Sequence, residues 1–130
     1  MTLVVGMGCQ RDCDVDTLLA LFETALAEGG IERTRITALA SIERKRDEPG
    51  LLALAQRLNL PFACFSAAQL APYEDRLSHK SDVVFAHTGC YGIAESAALA
   101  LAEHLGSGPS RLLITRRTSA QATFALACAG

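Results

Sequence analysis

Three clusters of polar residues carry the chemistry available to this 130-residue chain, and each follows a short apolar run or opens a helical one. The first is Gly6-Met7-Gly8-Cys9-Gln10-Arg11, the second Ser41-Ile42-Glu43-Arg44-Lys45-Arg46-Asp47-Glu48, and the third His87-Thr88-Gly89-Cys90-Tyr91-Gly92-Ile93-Ala94-Glu95. Arg11, Lys45 and the later Arg116 are cations suited to charge-assisted hydrogen bonds with carboxylates. Gly6, Gly8 and Gly89, with the hydroxyls of Ser41 and Thr88, would shape a crevice in which a ligand approaches the backbone. Lys45 and Glu48 lie at i,i+3 and either pair with one another or meet the ligand together. Glu95 either satisfies free N–H groups in its helix's first turn or acts as a general acid or base. Cys9 offers a nucleophilic thiol just before a helix start, although a small residue fitting a tight turn is the stronger reading.

Other chemistries fit less well. Gly6-Met7-Gly8 reads as a tight turn with oriented N–H donors, receptive to an anion. A dinucleotide fingerprint would require a third glycine where Arg11 stands. Cys9, Cys13, His87 and Cys90 lack the paired spacing of a closed zinc site, so neither a metal nor a cofactor is expected. A formal net charge of -2 speaks against a general nucleic-acid partner, despite local basic knots at residues 44–46 and 116–117. No window approaches the roughly 18 continuous apolar residues of a membrane span. The start of the chain lacks the basic residues of an export signal, and its five cysteines make an odd number. Reduced thiols in the cytoplasm are the expectation.

The elements that must position these clusters follow from periodicity and punctuation. Strands are expected over residues 2–5, 36–42 and 61–65, and a closing antiparallel pair over 111–116 and 121–128. A helix starts near an Asp14 or Asp16 cap, carries Leu18, Leu21, Phe22, Ala25 and Leu26 on one stripe, and stops at Gly29-Gly30. A second runs from Pro49 to Asn59, and Ser66 caps a short third broken by Pro72. Residues 73–80 read as a polar loop, and 81–86 as an extended loop rather than a strand. Residues 92–105 form an Ala-rich helix that is apolar on most faces and so packed on more than one side. Alternating strands and helices imply an α/β fold, a three-layer α/β/α sandwich with a mixed, mostly parallel sheet, as one domain over 1–130. In such sheets the loops at the carboxyl ends of parallel strands share one crevice.

The quoted motifs also occur in order as a set. Gly6-x-Gly8-Cys9-x-Arg11, Ser41-Ile42-x-x-Lys45-x-x-Glu48, Thr88-Gly89-x-x-Gly92-Ile93-Ala94-Glu95-x-Ala97-Ala98 and Thr123-x-Ala125 resemble the CobE/CbiG C-terminal domain family of cobalamin (vitamin B12) biosynthesis. The resemblance runs from Val4 to Ala127 and is greatest to the stand-alone members of the family. It implies binding of a precorrin or corrinoid intermediate, as a carrier or auxiliary factor in the aerobic pathway, with other enzymes of that pathway as possible partners. Gly6, Gly8, Arg11, Ser41, Lys45, Glu48, Thr88, Gly89 and Arg116 would then form the binding site. The family's CbiG enzymes open a precorrin δ-lactone and release acetaldehyde. The alternative implied is such a hydrolase, with Glu95 as base or Cys9 as nucleophile; a docking module for another pathway enzyme is a third reading.

Overall fold

The structure, a computed structural model, describes residues 1–78 and 92–130. Five strands form one sheet: β1 (Thr2–Cys9), β2 (Ala38–Ile42), β3 (Phe62–Phe65), β4 (Ser110–Thr118) and β5 (Ala122–Ala129). Their order is β3-β2-β1-β5-β4. β1 pairs with β2, and β2 with β3, in parallel; β5 is antiparallel to both β1 and β4. Four strands therefore run one way and β5 alone runs back, which is the mixed, mostly parallel sheet of the sequence reading. The helices are α1 (Val15–Gly29), α2 (Pro49–Leu58), α3 (Ala67–Leu70) and α4 (Ile93–Leu105).

The helix ends form where their residues dictate. The Asp14 carboxylate accepts from Thr17 N at 2.7 Å, and Gly30 takes the left-handed conformation that closes α1. Pro49 opens α2, and Asn59, also left-handed, closes it. Ser66 and Gln69 form a reciprocal capping box on α3. Pro72 does not end helical structure. It sits in the first turn of a 3-10 segment, Ala71–Arg76, where its missing N–H costs nothing, so the polar loop expected from Tyr73 begins later. The expected segment 81–86 lies outside the described residues.

Alternation sends the strand residues to two cores. Leu3, Val5, Met7, Leu39, Phe124 and Leu126 face α1 and α2, where Leu18, Phe22, Leu51 and Leu54 meet them. Val4, Ala38, Ala40, Ala127 and Ala129 face α4. Every α4 residue from Ala94 to Ala102 is buried, because the sheet covers one side while α3 and the 3-10 segment cover another.

One expectation needs correction. Gly6-Met7-Gly8 is not a turn but the second half of β1, paired through Cys9 with β5. Its glycines serve the helix above them. A Cβ at Gly6 would lie 2.0 Å from Ala94 O and 2.8 Å from Ala98 N, so only glycine admits α4 at this distance. Among the described residues, no helix is long and apolar enough to cross a membrane.

Candidate functional site

The carboxyl ends of β1 and β2 point toward a cleft of about 700 Å³. Its first wall is the end of β1 and the segment after it, with Gly8, Cys9, Gln10 and Arg11. The second is the last residue of β2, Ile42, and the segment after it, with Arg44, Lys45 and Glu48. The third is the start of α4, with Gly92, Ile93 and Ala94. The β4–β5 hairpin closes the fourth side with Arg116, Ser119, Gln121 and Thr123. Four of the lining residues are basic and one is acidic, so the cleft is locally cationic in a protein of formal net charge -2.

Glu48 organises two of these walls. It is 8 % exposed, and its carboxylate accepts from Lys45 Nζ at 3.3 Å through one oxygen and from Asp12 N at 2.9 Å through the other. Asp12 has φ 63, within a turn closed by a hydrogen bond from Cys13 N to Gln10 O. A carboxylate on its N–H helps hold that left-handed turn. Below it, a Cβ at Gly50 would come within 2.2 Å of Cys13 O, so α2 begins tight against the turn. Gln10 N in turn donates to Gln121 O at 2.9 Å, tying the turn to the hairpin. Arg11 and Arg116 have no ion-pair or side-chain hydrogen-bond partner among the described residues, whereas Lys45 is already held by Glu48.

Several expected site residues stand elsewhere. Ser41 is fully buried within β2, away from the cleft lining, and its Oγ has no hydrogen-bond partner among the described residues. It follows Ala40 on an inner strand with neighbours on both edges, so the crevice begins one residue later, at Ile42. Gly6 lies beneath α4 rather than in the lining, while Gly8 reaches it. Thr88 and Gly89 lie outside the described residues.

Glu95 is 1 % exposed and does not line the cleft. Its Oε1 accepts from Ser78 N at 2.8 Å, and its Oε2 accepts from Ser78 Oγ at 2.5 Å and from Arg116 N at 2.8 Å. A carboxylate buried under three donors is a clamp, so the acid–base role expected of it is corrected. Cys9 does line the cleft, but burial pushes its thiol up from 9.0 to about 12, against the smaller opposing effect of Lys45. A thiol held protonated by burial is not favoured as a nucleophile. No group of three or more potential metal ligands occurs among the described residues.

Sequence reasoning missed Gln10, Ser119, Gln121 and the cleft-lining place of Thr123. Its one available signal for Thr123 was the late Thr123-x-Ala125 motif. The hairpin reaches the site only because β5 lies beside β1, with Gly8 opposite Thr123. That placement depends on strand order rather than on local sequence.

Comparison with known proteins finds related sequences and the same fold elsewhere. The family described as "Cobalamin synthesis G C-terminus" matches residues 3–127. A protein from Sinorhizobium sp named Protein CobE is 41% identical over 126 residues, which is 96% of this chain and 79% of that protein. The cobalt-precorrin-5A hydrolase of Priestia megaterium is 34% identical over 96% of this chain, but the match spans only 32% of the hydrolase. Among solved structures, CobE, described as a protein of the cobalamin biosynthetic pathway, superposes with a TM-score of 0.92 at 47% identity, covering 97% of this chain and 89% of that one.

Proposed function

The chain belongs to the CobE/CbiG C-terminal family of cobalamin biosynthesis, and from that premise we propose that its cleft binds a precorrin or corrinoid intermediate. The protein would hold that intermediate or hand it on in the cytoplasm, as an auxiliary factor of the pathway. The observation that carries this reading is the pair of cations, Arg11 and Arg116, that stand on separate walls of one cleft with no side-chain partner among the described residues. Corrin-ring intermediates carry acetate and propionate carboxylates around a broad apolar macrocycle. Arginines on separate walls suit carboxylates on separate sides of such a ring, each by a charge-assisted hydrogen bond. Ile42, Ile93 and Ala94 give the ring apolar surface, and the α4 N-terminus adds partial positive charge. Lys45 joins them, held ready by Glu48.

A hydrolase reading draws on relatives named cobalt-precorrin-5A hydrolase, of which this chain matches about a third in the Priestia megaterium protein. The buried Glu95 and protonated Cys9 do not favour it in this chain alone. The test is a visible-spectrum titration of the protein with hydrogenobyrinic acid, followed by chromatography of the bound species. A saturable shift at micromolar ligand with the corrin recovered unchanged is the expected result. Lys45→Ala should weaken binding about tenfold while the protein stays folded, with a smaller loss of stability than Glu48→Ala because Asp12 N–H still holds the carboxylate. No shift would overturn the binding reading in favour of a docking module, and release of acetaldehyde from a lactone-bearing precorrin would favour the enzyme.

A further inference from the structure

Glu95 lies outside the cleft, yet it is bonded to the backbone of a residue that lines it. Strand β4 is irregular there. Leu112 pairs with Ala127 and Ile114 with Leu126, and then Arg117 pairs with Phe124, so β4 takes three steps where β5 takes two. The extra residue is a bulge around Thr115 and Arg116. Arg116, which has no register partner on β5, donates its N–H to Glu95 Oε2 at 2.8 Å. The same oxygen also accepts from Ser78 Oγ. Glu95 itself is fixed by α4, whose seating on β1 is set by backbone contact at Gly6.

We infer that Glu95 is a positioning residue for ligand binding: by gripping the bulged Arg116 backbone it sets where the Arg116 guanidinium enters the cleft. This rests on the binding reading above and adds to it a residue that never touches the ligand. A bulge re-aims the side chain it carries, and its unpaired N–H needs an acceptor when buried. Here one helix carboxylate supplies the acceptor and fixes the aim. All its described partners are donors, which suits a carboxylate. Glutamine at this position keeps one acceptor for the Arg116 N–H but turns an NH2 donor against the Ser78 N–H donor, so it preserves only part of the clamp.

The experiment is a double-mutant cycle on hydrogenobyrinic acid affinity, with a structural readout beside it. Glu95→Ala should weaken binding about tenfold, as Arg116→Ala does, and should have no further effect in the Arg116→Ala background. Glu95→Gln, which keeps an acceptor for the Arg116 N–H, should recover part of the affinity lost in Glu95→Ala. Full additivity with Arg116→Ala, or unchanged affinity in Glu95→Ala, would overturn the inference. If the alanine variant does not fold, Glu95→Asp takes its place, since its carboxylate is withdrawn by one methylene and the same coupling is required. In the wild type, a scalar coupling across the hydrogen bond between the Arg116 amide nitrogen and the Glu95 carboxylate carbon is expected, and its absence would also overturn the inference. That readout needs no ligand. Failure of the wild type to bind the corrin would remove the binding reading and the affinity effect, while a persistent coupling would show the clamp intact.

Discussion

On one side of the sheet, α1 and α2 rest on leucine, isoleucine and phenylalanine, and Phe22 meets Phe124 edge to face with ring centroids 6.1 Å apart. On the other, α4 lies over Gly6 and a layer of alanines, and its backbone comes against the strand's own backbone. The thick side is filled by side chains that can change rotamer. The thin side is filled by main chain that cannot. The cleft draws on both, but its α4 wall and the Glu95 clamp hang from the thin side. Alanine and glycine are therefore as much a part of the site as arginine, because they fix how far the helix start stands from the ends of the strands.

The largest expected effect tests that difference with a single carbon. Gly6→Ala places a methyl 2.0 Å from Ala94 O, a contact that no rotamer relieves. The cost should be at least about 3 kcal/mol in urea unfolding, and any folded fraction should bind the corrin poorly because Ile93, Ala94 and Glu95 move with the helix. A mild loss with normal binding would show α4 to be adjustable and would break the comparison.

On the thick side the cleft wall is held by polar contact. Glu48→Ala removes the acceptor for Asp12 N–H and the partner of Lys45 together. The N–H and the ammonium are only part-buried, and water replaces some of what is lost. The expected destabilisation is about 2 kcal/mol, with a further loss of corrin affinity as the turn carrying Arg11 loosens. Stability measured by urea and affinity by titration should both fall. An affinity loss without a stability loss would mean that Glu48 serves the ligand directly. Next, Phe22→Leu deletes a ring from the thick core and should cost only about 1–2 kcal/mol, leaving ligand binding unchanged. Were it to exceed the cost of Gly6→Ala, the assignment of tolerance to the two sides would be reversed.

The sequence showed the thick side better than the thin one, for a physical reason. Leu18, Leu21, Phe22, Ala25 and Leu26 announce α1 by their spacing, and Asp14, Gly30, Pro49, Asn59 and Ser66 mark helix ends by local chemistry. The three-layer class and the antiparallel closing pair follow from element order. Gly6-Met7-Gly8, by contrast, reads locally as a turn, since glycine weakens an isolated strand. Its strand conformation depends on β5 and α4, both distant in sequence. The candidate site divides in the same way. Arg11, Lys45, Glu48 and Arg116 are visible as charged residues near strand ends, and all four line the cleft. Ser41, one residue from that lining, looks the same in sequence but is buried, because the end of a strand is set by its neighbours. Glu95 was legible as a charged residue in the first turn of a helix. Its bonds to Ser78 and Arg116 were not, because they join three segments through the tertiary fold.

The smallest expected effect lies at Cys9, where the thick core reaches the cleft. Burial raises its thiol to about 12 from an ordinary value of 9.0, so between those values the folded protein keeps a proton that the unfolded chain releases. The folded state then binds more protons than the unfolded one, and stability must fall as pH rises through that window, while this group contributes no slope below it. Because the thiol is only partly shielded, the loss should be a fraction of a kcal/mol once solvent screening is allowed for. Lysines and tyrosines titrate in the same range, so the quantity to compare is the difference between wild type and Cys9→Ala in urea unfolding at about pH 8 and pH 10.5. The wild type should lose more stability than the variant over that step, and its Cys9 should alkylate with iodoacetamide at pH 8 far more slowly than a free thiol does. Fast alkylation and equal pH slopes would mean that Cys9 stands in solvent, in which case the core does not extend to the cleft edge and the nucleophile reading returns.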